Sequence, residues 1–188
     1  MKKIGLFAIT FMLFGCFSPA VKFYQPIYVK KQNVAYNEFK DTVLLYPVLL
    51  PSEISRPQIV TLGRKDFEVK IDEFNRWATQ PEKMIQSVIN ENLTNLLPNA
   101  KIYNQTNLRK NHKYALFVEV QELNGRLNEK AILKASYFIK NKSGKIVKSG
   151  NFYEIVAIDG RYNAYIPAIS ETLSNLSDDI AKTLISLK

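Results

Sequence analysis

Apolar residues recur along this chain with two different periods, and each change of period marks an element. Residues 42–50 (TVLLYPVLL) form a near-continuous apolar run, which predicts a strand buried on both faces. Pro47 inside it predicts an edge or a bulge toward its far end. Residues 58–71 then alternate. Val60 and Leu62 share one arm of a predicted hairpin and Phe67, Val69 and Ile71 the other, with Gly63-Arg64-Lys65-Asp66 as the turn. From residue 79 the period becomes helical. Met84, Ile85, Val88, Ile89, Leu93, Leu96 and Leu97 lie on one face, Thr79 and Glu82 have the spacing of a capping box, and Pro81 fits the first turn. Pro98-Asn99 ends this helix.

Further on, residues 101–103 read as a short strand. Residues 114–120 read as a half-buried one, with Tyr114, Leu116, Val118 and Val120 on one face. Residues 132–139 and 146–158 form a second hairpin around the polar turn at 141–145. The C-terminal stretch repeats Ile169, Leu173, Leu176, Ile180, Leu184 and Leu187 at three- and four-residue steps, a second amphipathic helix with Pro167 in its first turn. Residues 24–30 read as a first strand. The pattern predicts an α/β domain: a mixed sheet of about five to seven strands covered by two long amphipathic helices, on one face or on opposite faces. No repeat or low-complexity linker divides it, so residues 24–188 are expected to form a single domain.

The N-terminus changes the picture. Lys2 and Lys3 precede a short apolar run, residues 4–14, followed by Gly15 and the only cysteine, Cys16. This is the layout of a secretory signal, too short to span a bilayer. A lone thiol forms no internal disulfide. Leu13-Phe14-Gly15-Cys16 resembles the bacterial lipobox, whose cysteine is acylated and becomes the mature N-terminus; the alternative is a plain secretion signal with an incidental cysteine. The expected division is a signal over residues 1–15, a lipidated tether over 16–23, and the folded domain after it. Several acyl chains on one cysteine, at about 0.8 kcal/mol per buried CH₂, hold a protein firmly on a membrane. Phe17 and Ser18 follow the cysteine where aspartate retains many Gram-negative lipoproteins in the inner membrane, which points to the outer membrane.

Composition narrows the chemistry. Without Lys2 and Lys3, 24 lysines and arginines face 17 acids, a formal charge of +7. The basic residues are scattered, as on a solvated surface with weak attraction for anionic lipid, and an envelope location argues against nucleic acid. His112, the only histidine, sits in a polar run that reads as a surface loop, so no zinc ligand set exists. No phosphate-cradling Gly-Lys-Ser/Thr loop and no G-x-S-x-G elbow occurs. Asp72-Glu73 and Asp178-Asp179 are adjacent carboxylates that point apart in a strand or helix. No cofactor and no catalytic constellation is expected.

One stretch carries a more specific signal. Pro47 and Leu50-Pro51 lead to Arg56-Pro57-Gln58-Ile59-Val60; after the hairpin come Phe74 and Arg76-Trp77-Ala78, then Asn92-Leu93 and Leu96-Leu97-Pro98. In these motifs the chain resembles the ABC-type transport auxiliary lipoproteins of the PqiC/YmbA type. It departs from their pattern at Ser52-Glu53-Ile54-Ser55 and at Leu62-Gly63. Pro57 restricts Arg56 to an extended backbone, from which its guanidinium can clamp a carboxylate or carbonyls. Trp77 is expected to pack under the turn with its indole N–H bonded. Arg56, Pro57, Gln58, Arg76 and Trp77 thus form either a staple between hairpin and helix or a docking surface.

The resemblance implies a three-layer α/β fold and a noncatalytic part in intermembrane lipid transport. In such systems an inner-membrane ATPase and permease work with a mammalian cell entry (MCE) domain protein that bridges the periplasm. The implied partner is that MCE-domain protein, with a homo-oligomer also allowed. Two rival classes remain: a lipoprotein activator of cell-wall synthases, which would lack these motifs, and a small envelope hydrolase, which would need a nucleophile and base.

Overall fold

The computed structural model describes residues 19–29, 34–65, 67–104 and 111–187; Cys16 and the signal segment before it lie outside the described residues. Eight strands and two helices follow in the order β1 (Lys22–Tyr24), β2 (Thr42–Leu45), β3 (Gln58–Leu62), β4 (Val69–Trp77), α1 (Pro81–Leu96), β5 (Lys101–Tyr103), β6 (Tyr114–Arg126), β7 (Lys130–Asn141), β8 (Ile146–Ala157) and α2 (Tyr162–Ile185). The α/β class and the two long helices are as the pattern predicts. The strands, however, divide into two sheets, β1-β4-β3 and β5-β2-β6-β7-β8. The β3–β4 hairpin takes β1 as its third strand, in parallel with β4, and so stays out of the larger sheet.

In the larger sheet β2 is flanked on both sides and parallel to both neighbours, which is why its run is apolar on both faces. Pro47 interrupts it as expected. Pairing with β6 lapses after Tyr46 and resumes only as a bridge between Leu49 and Glu119. Along β6, Leu116, Val118 and Val120 are buried while Glu119 and Gln121 face solvent. Both helices cover that buried face. α1 packs beside β5, α2 beside β7 and β8, and the helices pack on each other. Between them Asn92 Nδ2 donates to Ser177 Oγ at 3.3 Å. The core joins Leu45, Ile85, Ile89, Leu116, Leu133, Ile139, Ile169 and Leu173 in one cluster. The opposite face carries a stacked aromatic row, Tyr46–Phe117–Phe138, with ring centroids 4.2 and 4.7 Å apart. Among the described residues no helix is long and apolar enough to cross a membrane.

Three local expectations change. The strand expected over residues 24–30 ends at Tyr24. Beyond it the chain crosses α2, where Ser170 Oγ accepts from Ile27 N (3.2 Å) and Ser174 Oγ donates to Val29 O (3.3 Å). Serine hydroxyls one helical turn apart satisfy backbone groups that a ladder would otherwise hold. α2 starts earlier than its apolar period suggests and Pro167 lies inside it, because Tyr162 and Tyr165 are anchored in the core. Finally, α1 has Gln80 at its N-cap with no side-chain cap, and Pro81 is the first helical residue. The capping box is not formed: Glu82 instead accepts a hydrogen bond from Ser55 Oγ.

The small sheet buries Ile59, Val60 and Trp77 in the common core, β3 lies against β6, and two hydrogen-bonded ties reinforce this packing. Arg126 Nε donates to Gly63 O at 2.7 Å, next to the β6–β7 turn. Asp72 accepts from Phe74 N (2.9 Å), Asn75 N (3.0 Å) and, on its other oxygen, Tyr162 Oη (2.7 Å). Burial alone would raise the Asp72 carboxyl, but these hydrogen bonds together hold it below its ordinary value. Two outcomes follow. A carboxyl whose folded pKa is depressed adds stability above its unfolded pKa and loses it as pH falls through the folded value. Thermal melts below about pH 4 should therefore show a smaller acid-induced loss for Asp72→Asn than for the unsubstituted chain. Gly125 in β6 has φ +150°, and a Cβ there would lie 2.2 Å from Lys130 O. Gly125→Ala should cost about 1–3 kcal/mol in urea unfolding.

Candidate functional site

The motif residues converge at one end of the small sheet, where β3 begins and β4 ends. Pro51 O accepts from Ile54 N (3.1 Å) and Ser55 N (3.0 Å), coiling residues 51–55 into a turn pinned by buried Ile54. Arg56-Pro57 leaves this turn extended and enters β3. Trp77 N donates to Pro57 O at 2.7 Å and Ala78 N to Tyr24 O at 2.8 Å, so all three strands close together. Between the pairs Gln58–Arg76 and Ile59–Asp72, β4 carries extra residues that bulge outward, with Asp72 capping the bulge.

The five motif residues separate into a Gln58–Arg76 pair, a Pro57–Trp77 pair and Arg56. Gln58 and Arg76 are cross-strand partners that both engage Glu73. Gln58 Nε2 reaches its carboxylate at 3.2 Å, and Arg76 reaches the carboxylate at 3.3 Å and the Glu73 carbonyl at 2.9 Å. The Glu73 side chain is 60% exposed, so this is a surface staple worth little in isolation. Trp77 is buried, 4% exposed, and lies under the turn as expected. Its backbone N–H ties it to Pro57; its indole N–H has no partner among the described residues.

Arg56 stands apart. The guanidinium expected to clamp across the turn makes no hydrogen bond or ion pair with any described residue, and its Nε is buried without an acceptor. It lines a cleft of about 800 Å³ between the turn, β1 and the start of α1. Phe23, Pro47, Val48 and Trp77 supply apolar wall; Ser55, Gln80, Glu82, Lys83 and Gln86 supply the polar rim. A buried donor without an acceptor costs about 1–3 kcal/mol, and more when charged. An apolar wall beside an unmatched guanidinium suits a carboxylate, phosphate or carbonyl carried on an apolar body.

Ser55, Thr79 and Lys83 are the residues lining the cleft that carry a hydroxyl or amine; the Ser55 hydroxyl is bound to the Glu82 carboxylate, and no imidazole or thiol lines the cleft. Among the described residues no three His, Cys, Asp or Glu side chains group as a metal site. Sequence reasoning missed Phe23 and Lys83 as cleft residues, and it missed the Asp72–Tyr162 tie. Glu82 was legible as special, but its spacing from Thr79 pointed to helix capping when its partner lies 27 residues upstream.

The fold has solved counterparts. An uncharacterized protein matches with a TM-score of 0.76 at 16% identity, over 88% of this chain and 99% of its own. Protein XCC0632 from Xanthomonas campestris, of the DUF330 family, matches with a TM-score of 0.71 at 16% identity, over 87% of this chain and 95% of its own. At this identity the likeness establishes the fold alone. No curated protein matches the chain significantly. The profile of the ABC-type transport auxiliary lipoprotein component family matches residues 29–181, a span that includes the Arg56 cleft apart from Phe23, the hairpin, every strand but β1, and both helices apart from the last residues of α2. The chain belongs to the ABC-type transport auxiliary lipoprotein component family.

Proposed function

We propose that this chain is a noncatalytic, outer-membrane lipoprotein component of an MCE/ABC-type intermembrane lipid transport system. It is anchored through acylated Cys16, and it docks the periplasmic MCE bridge or its cargo at the Arg56 cleft. The observation that carries the docking reading is the Arg56 guanidinium, half-buried against an apolar wall with no partner among the described residues. A structural clamp would close on an internal acceptor; this one is open toward the cleft. Family membership supplies the transport context. Leu13-Phe14-Gly15-Cys16 supplies the anchor, and Phe17-Ser18 the outer-membrane direction. ATP hydrolysis would belong to other subunits, and this chain's share would be position and affinity.

The cleft residues divide the work. Trp77 and Pro57 fix the wall, since a main-chain hydrogen bond and a buried indole leave neither free to move. Gln58, Arg76 and Glu73 brace the outer side of the same strand pair. Arg56, Lys83 and Phe23 are then the groups a partner would touch.

Trp77→Ala should lower stability by about 3–5 kcal/mol in denaturant titration, the usual cost of emptying a buried tryptophan site. Arg56→Ala should leave stability unchanged or raise it by up to about 1–3 kcal/mol, because no hydrogen bond to a described residue is lost and a buried donor without an acceptor is removed. The same variant should fail to recover an MCE-domain protein in pull-downs of the detergent-solubilised chain. A stability loss for Arg56→Ala near that of Trp77→Ala, with partner recovery intact, would return Arg56 to a structural role. Clean recovery of a penicillin-binding protein with no MCE protein would favour a cell-wall regulator. For the anchor, Cys16→Ser should leave the chain unprocessed or free in the periplasm; processed protein that still fractionates with membranes would refute lipidation.

A further inference from the structure

Among the described residues, the β3–β4 hairpin ends in a tip with exposed apolar side chains. Phe67 is 83% exposed and Val69 59%, with Ile71 also exposed on the same arm. The turn itself is well held: Gly63 N donates to Glu68 O at 2.8 Å, and Glu68 Oε2 accepts from Arg64 N at 3.0 Å. Exposed Arg64 and Lys65 flank the aromatic ring, with Lys65 Nζ 5.5 Å from the Phe67 centroid. Beside the hairpin lies an open groove of about 910 Å³ to which Lys70 and Arg161 add positive charge. The segment 64–70 carries three cations, Arg64, Lys65 and Lys70, against two acids, Asp66 and Glu68, and the Glu68 carboxylate is engaged by the Arg64 backbone N–H. An exposed aromatic and a valine among a net excess of cations have the composition of a surface that meets anionic lipid.

The strand directions say where such a surface would be. β1 runs parallel to β4, with Lys22 opposite Asn75 and Tyr24 opposite Trp77. The chain upstream of Lys22 is therefore directed back along β4, toward Val69 and the tip. From Gln58 to Leu62 the hairpin rises about 13 Å. Cys16 stands six residues before Lys22, an extended reach of about 20 Å, enough to bring it level with the tip.

We propose that the hairpin tip is a second membrane contact. Phe67 and Val69 enter the interfacial region of the bilayer beside the Cys16 anchor, while Arg64, Lys65 and Lys70 lie against anionic headgroups. This rests on the lipid-anchored reading above. Its consequence is orientation: the Arg56 cleft, at the opposite end of the same sheet, is held about 20 Å from the lipid and open to the periplasm.

The test uses the full-length, processed chain carrying Phe67→Trp, reconstituted into phosphatidylethanolamine–phosphatidylglycerol vesicles with brominated acyl chains. Trp77 is buried and supplies a constant background. Ile146→Trp, at the far end of β8, is the exposed control. The added emission at position 67 should fall roughly twofold relative to unbrominated vesicles, as for a side chain seated about 5–10 Å into the interface. Position 146 should not respond. Adding Arg64→Glu and Lys65→Glu should weaken the quenching at 67. Vesicle-bound protein with positions 67 and 146 equally quenched or equally unquenched overturns the proposal while leaving the anchor standing. So does cross-linking of position 67 to a second copy or to another protein. If the unsubstituted chain does not float with vesicles, the anchored reading fails and this proposal with it.

Discussion

Three residues of β1 set the orientation of everything else in this molecule. Parallel pairs are slightly weaker per residue than antiparallel ones, and Lys22–Tyr24 is a short example at a sheet edge. It holds because its end is fastened twice: Ala78 N donates to Tyr24 O, and the Tyr24 hydroxyl donates to Asn75. The Tyr24 ring also lies 5.3 Å from that of Tyr162, whose own hydroxyl holds Asp72. One knot of two tyrosines, an asparagine and an aspartate thus fixes the N-terminal segment, the middle of β4 and the start of α2. Without it the small sheet would be a hairpin attached mainly through β3, and the described residues before Lys22 would have no set direction.

That constraint makes the small sheet a polar object in the geometric sense. Its turn end shows apolar side chains and cations; its other end shows a cleft with a charge that its own fold does not neutralise. Keeping a guanidinium half-buried and unmatched lowers stability, and the fold sustains this beside a core that runs through both helices and the larger sheet. The larger sheet and its helices are thus the platform, and the three-stranded appendage carries the surfaces that distinguish this chain.

Much of the platform was legible in the chain. The 3.6-residue period of α1 and the alternation in β6 report one-sided burial, which is a local property. The apolar run of β2 reports burial on two faces, and Pro47 marks its end. What periodicity could not show was partnering at long range. The segment after Tyr24 looked like a strand, because nothing local reveals that Ser170 and Ser174 would satisfy its backbone groups. Thr79 and Glu82 matched a capping box, yet Ser55 claimed the carboxylate. Phe67, Val69 and Ile71 read as one alternating arm of a hairpin and are exposed, since alternation identifies a face without saying what covers it. At the cleft, the family motifs brought Arg56 and Trp77 to notice, but only the fold separates the wall residue from the open guanidinium.

The central claim is that the Arg56 end of the small sheet is a docking surface for the periplasmic bridge. Phe23, exposed on the rim of that cleft, is the position from which to test it. A photo-reactive benzoylphenylalanine introduced there in living cells should, on illumination, form an adduct with an MCE-domain protein, and the adduct should vanish when Arg56→Ala is added. An adduct unaffected by Arg56→Ala, or one formed only with a cell-wall synthase, would contradict the account.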